Sequence, residues 1–191
     1  MHVTLLLADH CSAASASIAV EFFSAANFFS AQPTPLFEVV TASLHGGDVC
    51  TLGGQRFQVS CALDSIERTD LVVIPGFLFT LKEALPGFAA HTAWLRRQHA
   101  QGASVAATCT AAFMLAEAGL LAGCRATTHW AFAEAFRRRY PQVRLDEQQM
   151  LCEDDRLITS GGATAALDLM LHLIRRFASL ELAQQCSRYL L

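Results

Sequence analysis

Ser104-Val105-Ala106-Ala107-Thr108-Cys109-Thr110-Ala111-Ala112-Phe113-Met114-Leu115-Ala116-Glu117-Ala118-Gly119 changes character half-way along. Residues 104–108 are a short apolar run compatible with a buried strand, whereas 110–118 are helix formers. Gly119 is placed to end that helix in the left-handed conformation. Cys109 therefore falls on a strand-to-helix junction between small neighbours, the setting of a nucleophile elbow. A thiol there feels the positive end of the helix dipole, which favours thiolate, and the Thr110 amide points to where an oxyanion would form. The same junction equally suits a buried, unreactive cysteine, since free cysteine is commonly a core residue.

Outward from this junction, strands and helices alternate. Residues 2–8, 37–43, 71–74 and 104–108 read as buried strands, with 49–52, 56–60, 124–128, 143–145, 150–152 and 156–159 as shorter ones. Helices are expected over 13–29, 89–100, 110–118, 131–139, 163–176 and 180–189, the first with Ile18, Phe22, Phe23 and Ala26 on one face. Such alternation predicts an α/β protein, a three-layer α/β/α sandwich with a mainly parallel, flavodoxin-like sheet. In those sheets ligands gather at the C-terminal strand ends. His10, Gly76, Cys109, His129 and Gly161 each follow a predicted strand, so five distant segments are expected at one rim.

Composition narrows the class. The chain has 191 residues, 53% hydrophobic and 16% charged, which suits one heavily buried domain spanning 1–191. A formal net charge of -3 gives no reason to expect nucleic acid as a partner of this part. The basic clusters Arg137–Arg139 and Arg175–Arg176 end predicted helices, where cations complement the dipole. No Lys or Arg precedes Arg56. Seven cysteines without CxxC spacing argue against a disulfide framework and a zinc site, and for a reducing cytoplasm. Residues 3–8 are apolar but lack a cationic flank, so a signal peptide is not read there, and no stretch reaches membrane-span length. No metal or cofactor is expected.

The residues at the rim suggest chemistry. Cys109 and His129 could pair as nucleophile and base. Gly76, lacking Cβ, lets a ligand reach the backbone, and Gly161-Gly162 before a helix suits an anion. His10 lies at the pocket mouth, while Phe77 and Trp130 read as wall. Each has a plainer reading as core residue or turn.

Residues 107–130, from Ala-Thr-Cys-Thr-Ala-Ala-Phe-Met-Leu-Ala-Glu-Ala-Gly through Thr-Thr-His-Trp, resemble the ThiJ/PfpI superfamily of class I glutamine amidotransferase-like domains. The Thr-Thr-His-Trp ending, residues 20–27, residues 70–76 and Ile158-Thr159-Ser160-Gly161-Gly162-Ala163 with its following helix resemble the branch fused to AraC-type transcription regulators. Carried over by position, the resemblance makes Cys109 the elbow cysteine, His129 its partner, and Gly76 and Thr110 the backbone donors. It also implies a ligand site of Gly76, Phe77, Cys109, Thr110, His129, Gly161, His10 and Ser15. Departures are visible. Ser15 stands where isonitrile-hydratase-like members place an Asp, Phe22 replaces a Pro, and Phe77 a second Gly. Loss of the carboxylate removes the obvious proton acceptor.

The resemblance thus implies a cytoplasmic sensing domain for a small, nitrogen-containing effector, homodimeric, contacting DNA only through a helix-turn-helix domain expected after residue 191. The rival is a free-standing cysteine enzyme, a hydrolase, isonitrile hydratase or glyoxalase-like lyase, using Cys109 with His129. A catalytically silent dimer module is the third reading.

Overall fold

The computed structural model describes residues 1–191. Its centre is a seven-stranded sheet: β1 (His2–Leu6), β2 (Glu38–Ser43), β3 (Cys61–Ala62), β4 (Leu71–Ile74), β5 (Ser104–Thr108), β6 (Leu151–Asp154) and β7 (Leu157–Ser160). The spatial order is β6-β7-β5-β4-β1-β2-β3, and only the β6–β7 pair is antiparallel. Val3 sits in register with Val39 on one side and Leu71 on the other. β4 and β5 are buried on both faces, as expected of strands that read as unbroken apolar or small-residue runs.

Besides a single α-helical turn at Leu81–Ala84, the helices are α1 (Ala13–Ser30), α2 (Thr92–Ala100), α3 (Ala112–Glu117), α4 (Ala133–Arg139), α5 (Ala165–Phe177) and α6 (Leu180–Leu190). From β1 the chain winds towards β2 and β3, then returns to β4 on the other side of β1 and winds away to β5 and β7. With right-handed crossovers this reversal puts α1 and the 78–100 segment on opposite faces. α1 packs with α5 and α6, and α2 and α3 pack with the 3-10 segment Leu85–His91. The sandwich expected from sequence is therefore the architecture found. The reversal between β1 and β4 is the topological switch point at which such sheets form a crevice.

Local differences have local causes. α1 buries Ala16, Ala19, Phe22, Phe23 and Ala26, while Ile18 is only half-buried. Ser12 caps this helix, its Oγ accepting from the Ser15 N–H at 3.3 Å. The helix expected from residue 89 starts at Thr92, preceded by 3-10 turns that Pro86 and Gly87 favour over a regular helix. Residues 61–62 form an edge strand too short to show a period in the sequence.

The strand expected over 124–128 is reduced to Arg125–Ala126 and lies outside the central sheet, paired with Arg144–Leu145. Thr127 instead donates its N–H to Thr159 Oγ1 at 2.8 Å, a side chain of interior strand β7 rather than a backbone carbonyl of the sheet. Edge strand β6 is tied to α5 by Glu153, which accepts from His172 Nε2 at 2.6 Å and pairs with Arg176. Burial and Arg175 lower the His172 pKa, so Arg176 supplies the charge of that pair.

Candidate functional site

The elbow is built as the sequence suggests. Cys109 follows β5 with φ of +54°, a left-handed conformation that costs a side-chain-bearing residue roughly 1–2 kcal/mol. A 3-10 turn, Cys109–Ala111, then leads into α3. Gly119 closes α3 with φ of +71°, its N–H donating to Ala116 O and that of Leu120 to Leu115 O. Gly76 comes so near that a Cβ there would lie 2.9 Å from Cys109 Cβ and 3.0 Å from Thr108 O. Only glycine fits without movement.

The donors of the Gly76 turn are nevertheless engaged elsewhere. The Gly76 N–H donates to Thr108 Oγ1 at 2.7 Å. Thr110 Oγ1 accepts from the N–H groups of both Phe77 and Leu78, at 2.8 and 2.9 Å. The Thr110 amide and hydroxyl lie close enough to Cys109 to lower its pKa. Phe77 is fully buried against Phe88, ring centroids 4.7 Å apart, so it is core rather than pocket wall.

Cys109 is 1% exposed. Burial pushes its thiol up to about 11, and the Thr110 hydrogen bonds offset this only in part. The thiolate expected from the helix dipole is not what this environment favours. A 3-10 turn followed by a six-residue helix offers a weak dipole, and desolvation of the anion outweighs it. Cys11, fully buried near the same rim, is likewise pushed up to about 11.

His129 reaches the elbow by an indirect route. The preceding residue, Thr128, donates its hydroxyl to Cys109 O at 3.1 Å and so pins the 127–129 segment to the elbow backbone. The imidazole itself accepts the Ala131 N–H through Nδ1 at 3.2 Å and stacks on exposed Trp130. In the neutral ring the proton is then on Nε2, and the one lone pair that could act as a base is occupied. No hydrogen bond joins this ring to the sulfur.

The other expected positions sit near by with other duties. Ser15 is buried in the first turn of α1, and the loop before it is joined to the Gly76 turn by Ser12 N–H donating to Gly76 O at 2.7 Å. His10 is exposed, with φ of +71°, and its carbonyl accepts from Thr80 Oγ1 at 2.9 Å. Gly161 spends its N–H on Met150 O at 2.9 Å, and α5 begins four residues later, so no free helix terminus stands at Gly161. What sequence reasoning missed is the role of buried threonine hydroxyls at this rim, those of Thr108, Thr127, Thr128 and Thr159 and that of Thr110, which was expected to contribute its amide. Their signal was present: hydroxyls clustered at the ends of otherwise apolar strands.

The matching segment is long enough to decide the family. Residues 1–176 match the DJ-1/PfpI family. This chain belongs to the DJ-1/PfpI family. Among DJ-1/PfpI relatives, it is 36% identical over 169 residues to the HTH-type transcriptional regulator CdhR of Pseudomonas aeruginosa, covering 88% of this chain and 48% of that protein. It is 31% identical over 185 residues to the HTH-type transcriptional regulator GbdR of the same species, covering 97% of this chain and 49% of that protein. The chain thus spans about half the length of these curated relatives. The crystal structure of an AraC family transcriptional regulator from Pseudomonas putida superposes with a TM-score of 0.84 at 26% identity, covering 100% of this chain and 99% of that one.

Proposed function

We propose that this DJ-1/PfpI domain is the effector-sensing part of an AraC-type transcription regulator, one that binds a small metabolite at the C-terminal rim of the sheet without converting it. The observation that carries this is the sealed elbow. Gly76 N–H, Phe77 N–H and Leu78 N–H are all given to threonine hydroxyls, which leaves only the Thr110 amide beside the sulfur; the thiol is held protonated, and the His129 lone pair is taken. Nucleophilic catalysis needs a thiolate, a free base and donors aimed at a developing oxyanion. A carboxylate acceptor is missing too, since Ser15 occupies its expected place. The likeness to CdhR and GbdR over most of this chain supports the regulator rather than the free-standing enzyme. In this reading the protein acts as a homodimer in the cytoplasm, and DNA is contacted by a helix-turn-helix domain beyond residue 191.

No helix is long and apolar enough to cross a membrane. The test has two arms. The purified domain is assayed with isonitriles and dicarbonyls; turnover near 1 s⁻¹ or faster that vanishes in Cys109→Ser overturns the reading. In cells, a promoter fusion is followed with the gene intact and deleted. Metabolite-dependent transcription that requires the gene, with no turnover by the domain, is the expected result.

A further inference from the structure

Away from the elbow, at the C-terminal end of α1, aromatic rings stand in solvent. Phe28 is 77% exposed and Tyr189, in the last turn of α6, is 73% exposed. Half-buried Phe29 joins them: its ring centroid lies 5.2 Å from that of Phe28 and 5.3 Å from that of Tyr189. The three rings form one patch that crosses from α1 to α6. Beside them a groove of about 370 Å³ opens between Ser30, Leu36 and the first turns of α6, with Phe29 and Leu182 in its wall.

The rings are held in place. Asn27 Nδ2 donates to Phe37 O and Asn27 Oδ1 accepts the Phe37 N–H, both at 2.8 Å. Ser30 Oγ donates to Asn27 O at 2.8 Å, and Ala31 closes α1 at φ of +50°. α6 packs on α1 and α5 and buries Leu182, Ala183 and Cys186. Phe28 and Tyr189 are therefore presented by two anchored helices. Charge is scarce around them: Glu21 is the sole charged residue of α1, and residues 22–37 carry none. Such a surface suits an apolar protein partner rather than an ionic one.

Three observations select the partner. The first is size. The patch and its groove offer apolar surface on the order of 500 Å², less than the roughly 800 Å² that each chain gives to a stable interface. So small a surface holds a partner that is already tethered, because a short linker supplies a millimolar effective concentration. The second is place. In the regulator reading the chain continues from residue 191 into a DNA-binding domain, two residues beyond Tyr189. About half of CdhR and of GbdR lies outside the match to this chain, room enough for such a domain. The third is connection. α1 starts at the rim, where Ser12 N–H donates to Gly76 O at 2.7 Å, and ends at Phe28 and Phe29. Roughly 27 Å of unbroken helix joins the two.

We propose that Phe28, Phe29 and Tyr189 form the docking surface for the helix-turn-helix domain that follows residue 191, which meets them with an apolar face. The proposal rests on the regulator reading above and adds where the two domains touch.

The test is hydroxyl-radical footprinting, read by peptide mass, on the 191-residue chain and on the full-length gene product at equal concentration. Phe28 and Tyr189 are expected to oxidise at least about threefold more slowly in the full-length protein. Trp130 at the rim, 73% exposed, is the internal control and is expected to react alike in both. In the full-length protein Phe28→Gln is expected to remove the protection of Tyr189, whereas Phe28→Leu keeps it. Because Phe28 is exposed, both variants of the 191-residue chain are expected to melt within about 2 °C of the wild type. Equal oxidation of Phe28 and Tyr189 in the two proteins, protection confined to Trp130, or Tyr189 protection that ignores Phe28→Gln would each overturn the proposal. Protection that grows with concentration in the 191-residue chain, with a dimer that Phe28→Gln dissolves, would give the surface to a second copy instead. A promoter that responds to the gene while both rings stay open leaves the regulator standing and overturns only the docking surface. Protected rings in a protein on which no promoter depends do the reverse.

Discussion

Thr110 shows how one hydroxyl can decide what a cysteine site does. Its oxygen takes two backbone N–H groups of the Gly76 turn, and the same residue lowers the pKa of Cys109. The turn it secures carries Leu78 at φ of +48°, a conformation that needs outside support. Thr110→Val keeps the shape but leaves the Phe77 and Leu78 amides without an acceptor. An unsatisfied buried donor costs roughly 1–3 kcal/mol, so the variant is expected to lose about 2–4 kcal/mol in urea unfolding. Amide exchange at residues 77 and 78 is expected to accelerate with it. Thr110→Ser retains the acceptor and loses one methyl, and a loss of about 1 kcal/mol is expected. Equal losses in the two variants would show that the hydroxyl is not what holds the turn.

Between elements, α2 is fastened to the sheet by a buried amide. Gln98 is fully buried on that helix, and its Oε1 accepts the Thr69 N–H at 3.1 Å. Its Nε2 donates to Ile66 O at 3.1 Å and to Glu67 O at 3.2 Å. One side chain thus answers three backbone groups in the connection that enters β4, a segment with no regular structure to satisfy them. Gln98→Leu fills the same space without those bonds and is expected to cost about 2–4 kcal/mol. The check is a denaturant melt alongside Arg97→Leu, the neighbouring position whose side chain is exposed and whose contact with Asp64 is a surface pair. That change is expected to alter stability by about 0.5 kcal/mol or less.

At the scale of the whole molecule, buried thiols set an alkaline limit. Cys11 and Cys109 are both pushed from 9.0 up to about 11 by burial. In the unfolded chain both ionise earlier, so between about pH 9 and 11 the unfolded state holds fewer protons than the native one. Stability then falls as pH rises through that window and is fully present below it. Urea midpoints measured from pH 8 to 11 are expected to drop less steeply in Cys11→Ala/Cys109→Ala than in the wild type, whatever the offset between them. Alkylation gives the same ranking by another route. Exposed Cys50 is expected to label first near neutral pH, with Cys11 and Cys109 protected until the protein opens. Rapid labelling of Cys109 at pH 7 would restore the reactive elbow.

Much of this protein was legible along the chain because its signals are local. Unbroken apolar runs at 71–74 and 104–108 mark strands buried on both faces, and the switch to helix formers after Cys109 fixes the elbow. Gly76 and Gly119 are required where a close approach and a positive φ demand them. The family and the layered α/β fold follow from those same stretches. What the chain order does not contain is which hydroxyl reaches which amide across the rim. The partners of Gly76, Phe77 and Thr127 lie more than thirty residues away, and each bond depends on strand register. The state of the Cys109 thiol likewise follows from burial by the packed whole. A cavity beside the elbow is the clearest case. Asp9, Asp48, Glu83 and His91 come from three separate segments, and only the reversal of strand order between β1 and β4 brings those segments to one cavity.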